Sequence, residues 1–149
     1  MKKILVADED AAARRMLARV LESSGYTAIQ ANGIQEAMLK FRSTLPVLVI
    51  MDLRTPDHDG WKAFDDLRHL DRTIPLIAIT GWPHQHDSAI KKGIDALLEK
   101  PLDLTVLLQT IQDLTEATEP AAKPAANGKI HLEPASDQLG RISSSSALA

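Results

Sequence analysis

Short uninterrupted apolar runs alternate with longer stretches in which apolar residues recur every three or four positions, and this pattern leaves few folds open. Ile4-Leu5-Val6-Ala7 is the first run. Ala13, Met16, Leu17, Val20 and Leu21 then follow helical spacing up to Gly25. Tyr26 to Ala31 reads as a second strand, and Ile34, Ala37, Met38 and Phe41 as a second helical face. Val47 to Met51 is a third strand, followed past Pro56 and Gly60 by a helix carrying Phe64 and Leu67. Leu76 to Thr80, a short helix around Ala89 and Ile90 ending at Gly93, and Ala96-Leu97-Leu98 continue the alternation. Leu104, Leu107, Leu108, Ile111 and Leu114 line the last helix. Strands apolar throughout suit a parallel sheet covered on both faces by helices. The sequence therefore predicts an α/β fold of five βα units, with its site where the carboxyl ends of the strands converge.

The pattern stops near residue 118. All five aromatics and the whole net charge of -3 lie before that point. Beyond it Ala, Pro and Ser dominate, and Ser143 to Ser146 is low complexity. Residues 1–118 are thus expected to form the domain and 119–149 a mostly disordered tail, poor in apolar bulk to offset ordering entropy. Within the tail, Ile130-His131-Leu132 alternates briefly, as a short strand at a sheet edge would. The absence of cysteine excludes disulfides, iron–sulfur clusters and thiol catalysis. The longest apolar run is far shorter than a membrane span, and the charged start is followed too soon by Asp8 for a signal peptide. A cytoplasmic protein is expected, and the slight excess of acid argues against direct nucleic-acid binding.

The predicted strand ends carry polar residues of a particular kind. Asp8, Glu9 and Asp10 follow the first strand, Asp52 the third, Thr80 the fourth, and Lys100-Pro101 the fifth. Two unit charges about 4 Å apart repel by about 4 kcal/mol at an effective dielectric of roughly 20. Converging carboxylates therefore call for a cation, and an all-oxygen set suits Mg²⁺ or Mn²⁺. A lysine and a hydroxyl beside such a centre suit phosphoryl oxygens. The chemistry suggested is phosphoryl transfer onto a carboxylate, with Asp52 as nucleophile. Singly these residues have plainer roles: Asp10 as a helix cap, Asp52 as a turn residue, Lys100 as a solvated loop lysine. Their joint appearance on four strand ends favours a shared site.

Lys3 to Asp10, Met51-Asp52 with Pro56 and Asp59-Gly60, Thr80-Gly81 and Lys100-Pro101 together resemble the receiver domain of two-component response regulators. The resemblance spans about residues 2–118 and rests on four separated motifs in order. It implies a flavodoxin-like sheet of strand order 2-1-3-4-5. It also implies that Asp52 accepts a phosphoryl group from a phosphohistidine on a histidine kinase or phosphotransfer protein. Asp8, Glu9, Asp52 and the backbone carbonyl of Arg54 would hold Mg²⁺. Thr80 would bond the phosphoryl group and Lys100 would pair with one of its oxygens. The Lys100-Pro101 peptide would be cis. The added charge would switch a protein-binding surface formed by the fourth helix, fifth strand and fifth helix.

Several residues depart from the usual receiver pattern. Glu9 stands where Asp is frequent. Leu97 stands where many receivers carry the Tyr or Phe that turns inward on activation, so that rotamer readout is absent. Trp82, next to Thr80, either takes over part of the switching role or packs on the rim of the site. Thr55 replaces a common apolar residue, and Arg54 stands at a variable position that tunes acyl-phosphate lifetime. His84, His86 and Asp87 are too poorly placed on one face for a metal site and read as solvated or capping groups. Arg14, Arg15 and Arg19 read as a solvated helix face, or a partner contact. With no second domain in the sequence after residue 118, output is expected through contact with a downstream protein or onward phosphotransfer. The alternatives are a degenerate receiver acting as a docking module and an aspartyl-nucleophile phosphatase. The second normally needs an acid two residues after the nucleophile, where Arg54 stands.

Overall fold

The computed structural model describes residues 1–53, 58–117 and 131–133. Five βα units follow in chain order: β1 (Lys3–Ala7), α1 (Ala11–Ser23), β2 (Thr27–Ala31), α2 (Ile34–Thr44), β3 (Leu48–Leu53), α3 (His58–Leu70), β4 (Leu76–Thr80), α4 (His86–Lys92), β5 (Ala96–Glu99) and α5 (Leu104–Ala117). All described strand pairs are parallel, and the first five strands take the order β2-β1-β3-β4-β5. The alternation predicts the five βα units and their parallel sheet, and the strand order is the flavodoxin-like one that the receiver resemblance implies.

The period-two geometry of a strand divides each apolar run between two cores. Leu5, Ala7, Val49, Met51, Leu76, Ala78 and Leu97 pack with Phe41 of α2, Phe64 of α3 and Ala89 of α4. Ile4, Val6, Leu48, Ile50, Ile77, Ile79 and Leu98 pack with Leu17 of α1 and Ile111 of α5. Burying both faces explains why these strands are apolar at nearly every position. The expected helical faces hold less evenly. Met16 and Ile90 are about half exposed, and Leu104 lies at the surface.

Turn chemistry sets the helix ends. Asp10 caps α1, its carboxylate accepting from the Ala12 and Ala13 amides at 3.0 and 3.3 Å. Asp103 caps α5 in the same way through Thr105 and Val106. Gly93, at φ 73°, closes α4 in the left-handed conformation that glycine adopts without steric penalty.

Three residues of the tail are described. His131–Glu133 forms a sixth strand, β6, parallel to β5 and outside it. It lies one residue beyond the alternating Ile130-His131-Leu132 segment. The physical reason is the open edge of β5, which offers backbone partners that compensate for a short segment's ordering entropy. The rest of the tail lies outside the described residues, as do Arg54 and Thr55.

Candidate functional site

Parallel pairing in register brings the strand ends together. Ala7 lies beside Met51, so Asp8 follows β1 next to Asp52 near the end of β3. Asp52 pairs with Ile79 and Leu53 with Thr80, which places Thr80 one residue further along. Thr80 in turn pairs with Glu99, directly before Lys100. Residues separated by tens of positions in the chain thus share one crevice.

At its centre, the Lys100 Nζ lies 3.0 Å from Asp52 Oδ1. The Asp52 side chain is 5% exposed and that of Lys100 43%. A half-solvated ammonium therefore reaches a nearly dry carboxylate. The Lys100 stem passes Gly81, where even a Cβ would stand 3.9 Å from Cδ. The Lys100 amide donates to the Thr80 carbonyl at 2.8 Å, and the Lys100-Pro101 peptide is cis.

Asp8 is buried as well. Burial pushes its carboxyl above the ordinary range. The Asp10 amide, donating to Asp8 Oδ1 at 2.8 Å, acts in the opposite direction. The nearby charge of Asp52 raises it further, and Lys100 lowers it. The crevice thus holds two mutually repelling carboxylates and one neutralising lysine, an electrostatic imbalance suited to a hard divalent cation.

Glu9 is placed differently. It is exposed, and its Oε2 lies 3.6 Å from where a Cβ on Gly33 would stand, along the β2–α2 turn. Among the described residues, no three of Asp, Glu or His gather closely enough to hold a metal ion. The Arg54 carbonyl lies outside the described residues.

Thr80 is fully buried, and its Oγ accepts from the Trp82 amide at 2.9 Å. The hydroxyl is thereby oriented by its own turn. Trp82 is 48% exposed, as a rim residue would be. Leu97 is wholly buried in the core beside α3 and α4, with no ring at the surface. His84 lies in the β4–α4 turn at φ 59°, and His86 opens α4 without capping it. The turn is tied instead by Gln85, which accepts from the Trp61 indole at 3.3 Å and donates to the Pro83 carbonyl at 3.0 Å.

Arg14 is not simply solvated. Its guanidinium donates to the Asp8 carbonyl at 2.8 Å, to Gln30 at 3.2 Å and to Asn32 at 3.4 Å. It pins the acidic loop to the end of β2. Its position one helical turn after the Asp10 cap was the available signal, but only the β1–β2 pairing shows what it reaches.

Residues 4–112 match the pattern of the response regulator receiver domain. A 14.6 kDa protein of Leptolyngbya boryana, itself uncharacterised, is 32% identical over 80% of this chain and 94% of its own length. The KDP operon transcriptional regulatory protein KdpE of Escherichia coli is 31% identical over 70% of this chain, which spans 47% of that regulator. Among solved structures, a CheY-like response regulator receiver domain protein from Methanospirillum hungatei superposes with a TM-score of 0.73 at 26% identity. That match covers 81% of this chain and 98% of the other. With the strand order and the matched residues in agreement, this chain belongs to the response regulator receiver domain family.

Proposed function

We propose that this chain is a phospho-accepting receiver of a two-component phosphorelay, with Asp52 as the acceptor. The observation that carries the reading is the buried Asp52 carboxylate held 3.0 Å from the Lys100 ammonium, next to a second buried acid. An Asp52 oxygen attacks the phosphorus of a phosphohistidine. The new O–P bond forms as the P–N bond breaks, and the histidine leaves.

Lys100 stays on the phosphoryl oxygens as negative charge gathers on them, and its partial exposure gives it room to follow. Thr80, in exchange for accepting from the Trp82 amide, turns its hydroxyl to donate to a phosphoryl oxygen. That exchange would carry the signal into the β4–α4 turn, since Leu97 offers no ring to rotate. Asp8 and Asp52, with Glu9 swinging inward, fit a Mg²⁺ ion, or Mn²⁺. The donors are all oxygen, and Asp8 and Asp52 share the single Lys100 ammonium in the crevice. When bound, the ion neutralises charge on the transferring group.

The partners of this reading are a histidine kinase or histidine phosphotransfer protein as donor and a downstream protein as target. No helix among the described residues is long and apolar enough to cross a membrane.

Incubation with Mg²⁺ and acetyl phosphate, followed by intact-mass measurement, tests the assignment. The expected result is one added phosphoryl group per chain, about 80 Da, absent in Asp52→Asn and suppressed by EDTA. Absence of the adduct with every donor, a phosphohistidine protein included, would overturn it.

A further inference from the structure

The arginines of α1 are not alike. Arg15 and Arg19 are exposed, whereas Arg14 is half-buried and reaches the strand ends. Its contacts fall on both loops that flank Glu9. On one side its guanidinium holds the Asp8 carbonyl at 2.8 Å, and with it the Asp8–Glu9 peptide from which the Glu9 side chain leaves. Backbone groups fix two further atoms of Asp8. Its amide donates to the Ala31 carbonyl at 3.1 Å, and its Oδ1 accepts from the Asp10 amide at 2.8 Å.

On the other side the Arg14 guanidinium donates to Gln30 of β2 and to Asn32 just beyond it. A ring of contacts closes behind these residues. The Asn32 amide donates to Glu36 at 2.6 Å, Glu36 pairs with Lys40 at 3.0 Å, and Lys40 donates back to the Gln30 carbonyl at 2.6 Å. This network fixes the β2–α2 turn that carries Gly33, and Glu9 lies against Gly33. One side chain therefore ties together the peptide that Glu9 leaves and the turn on which it rests.

We propose that Arg14 is a positioning residue for the divalent cation, setting Mg²⁺ affinity by holding the Asp8–Glu9 loop in place. The inference rests on the reading of Asp8, Glu9 and Asp52 as the Mg²⁺ site. A guanidinium has donors only and cannot itself ligate the ion. Its charge and its geometry act in opposite directions. By charge alone, a cationic group near the crevice disfavours a second cation, so its removal would tighten binding. By geometry, its removal frees the peptide and the turn, which the ion must then order, so binding weakens. The charges that weigh most on the Asp8 carboxyl are those of Asp52, Lys100 and Asp10, so the geometry of Arg14 outweighs its charge there.

Titration of the full chain with magnesium chloride tests this, followed by the NMR shift of the Asp10 amide, which donates to Asp8 Oδ1. Arg14→Met should raise the Mg²⁺ dissociation constant about tenfold, as removal of a group that orients a metal ligand does. Arg14→Lys, which restores the charge and one donor, should recover part of that loss. The Mg²⁺ concentration that half-saturates phosphorylation by acetyl phosphate should rise by the same factor, while the rate at saturating Mg²⁺ stays that of the parent chain. Amides of Leu98 and Ile111 should keep their parent shifts, which shows that the fold is intact. Equal or tighter binding in Arg14→Met would overturn the inference and leave the site reading standing. A loss of rate that excess Mg²⁺ does not restore would overturn it too. Should Arg14→Met lose the fold, Arg14→Lys decides alone, and parent affinity in that variant overturns the inference. A parent chain that binds no Mg²⁺ would overturn the site reading and this inference together.

Discussion

At the amino ends of β4 and β5, a single guanidinium gathers the loose acceptors of two loops. Arg68 donates to the carbonyls of Arg72, Ile74 and Gly93 at 3.2, 2.7 and 3.0 Å, and to Asp95 at 3.3 Å. Asp95 in turn accepts from the Leu76 amide at 2.8 Å, and Lys92 bridges α4 to Asp65 of α3 at 2.9 Å. At the carboxyl ends of the same sheet, Asp8 and Asp52 are buried close enough to repel, with Lys100 between them and solvent. One end matches its donors and acceptors; the other holds a charge imbalance. Substitutions at the first end should therefore cost stability and spare chemistry. At the second they should cost chemistry, and in one case add stability.

The largest expected effect is at the second end. Lys100→Ala should slow phosphorylation of Asp52 by about a hundredfold, in line with loss of one preorganised donor to a transferring group. The melting temperature should change little, because the ammonium is 43% exposed and its pair is partly screened. Phosphorylation kinetics with acetyl phosphate, read beside thermal melting, check this. Unchanged kinetics would remove Lys100 from the site.

Next comes Arg68→Ala. It strips partners from three carbonyls and a carboxylate and should destabilise the fold by about 2 kcal/mol. Urea unfolding measures the loss. The yield of the phosphoryl adduct at 25 °C should stay that of the parent chain. A variant with parent stability, or one that folds yet cannot be phosphorylated, would break the division between the two ends.

The same division explains what could be read from the chain and what could not. The apolar runs had to be buried on both faces, so the doubly wound sheet was visible in Ile4 to Ala7, Val47 to Met51 and Leu76 to Ile79, whereas its strand order came only with the resemblance to receivers. Asp8, Asp52, Thr80 and Lys100 were visible as strand-end residues because a parallel sheet sends such residues to one edge. Arg68 was not. Its partners are mostly backbone carbonyls, which carry no side-chain signature, and Arg14 reads as solvated because its partners on β2 and the following turn are distant in sequence. The outward turn of Glu9 depends on a rotamer and a neighbouring loop. β6 depends on an edge left open far away in sequence, so a three-residue alternation could suggest it but not place it.

The smallest effect is the one of opposite sign. Asp8→Asn keeps an oxygen for the Asp10 amide while removing a buried charge that Asp52 repels. In the folded chain the Asp8 carboxyl is raised above its unfolded value of 3.8, so the folded state binds the proton more tightly. Its contribution is favourable at low pH and is lost as pH rises through the raised folded value, leaving an ionised group that destabilises at neutral pH. The variant should therefore be more stable than the parent at pH 7, by about 0.5–1 kcal/mol, with the gap closing as pH falls toward 3.8. Mg²⁺ should narrow the gap at pH 7 by stabilising the parent more than the variant, because binding to the folded state alone raises its stability. Thermal melts of both chains across pH 3.5–7.5, with and without Mg²⁺, read all three effects. A gap independent of pH would mean that Asp8 exerts no electrostatic strain, and the two ends of the sheet would then differ in composition but not in how their charges are balanced.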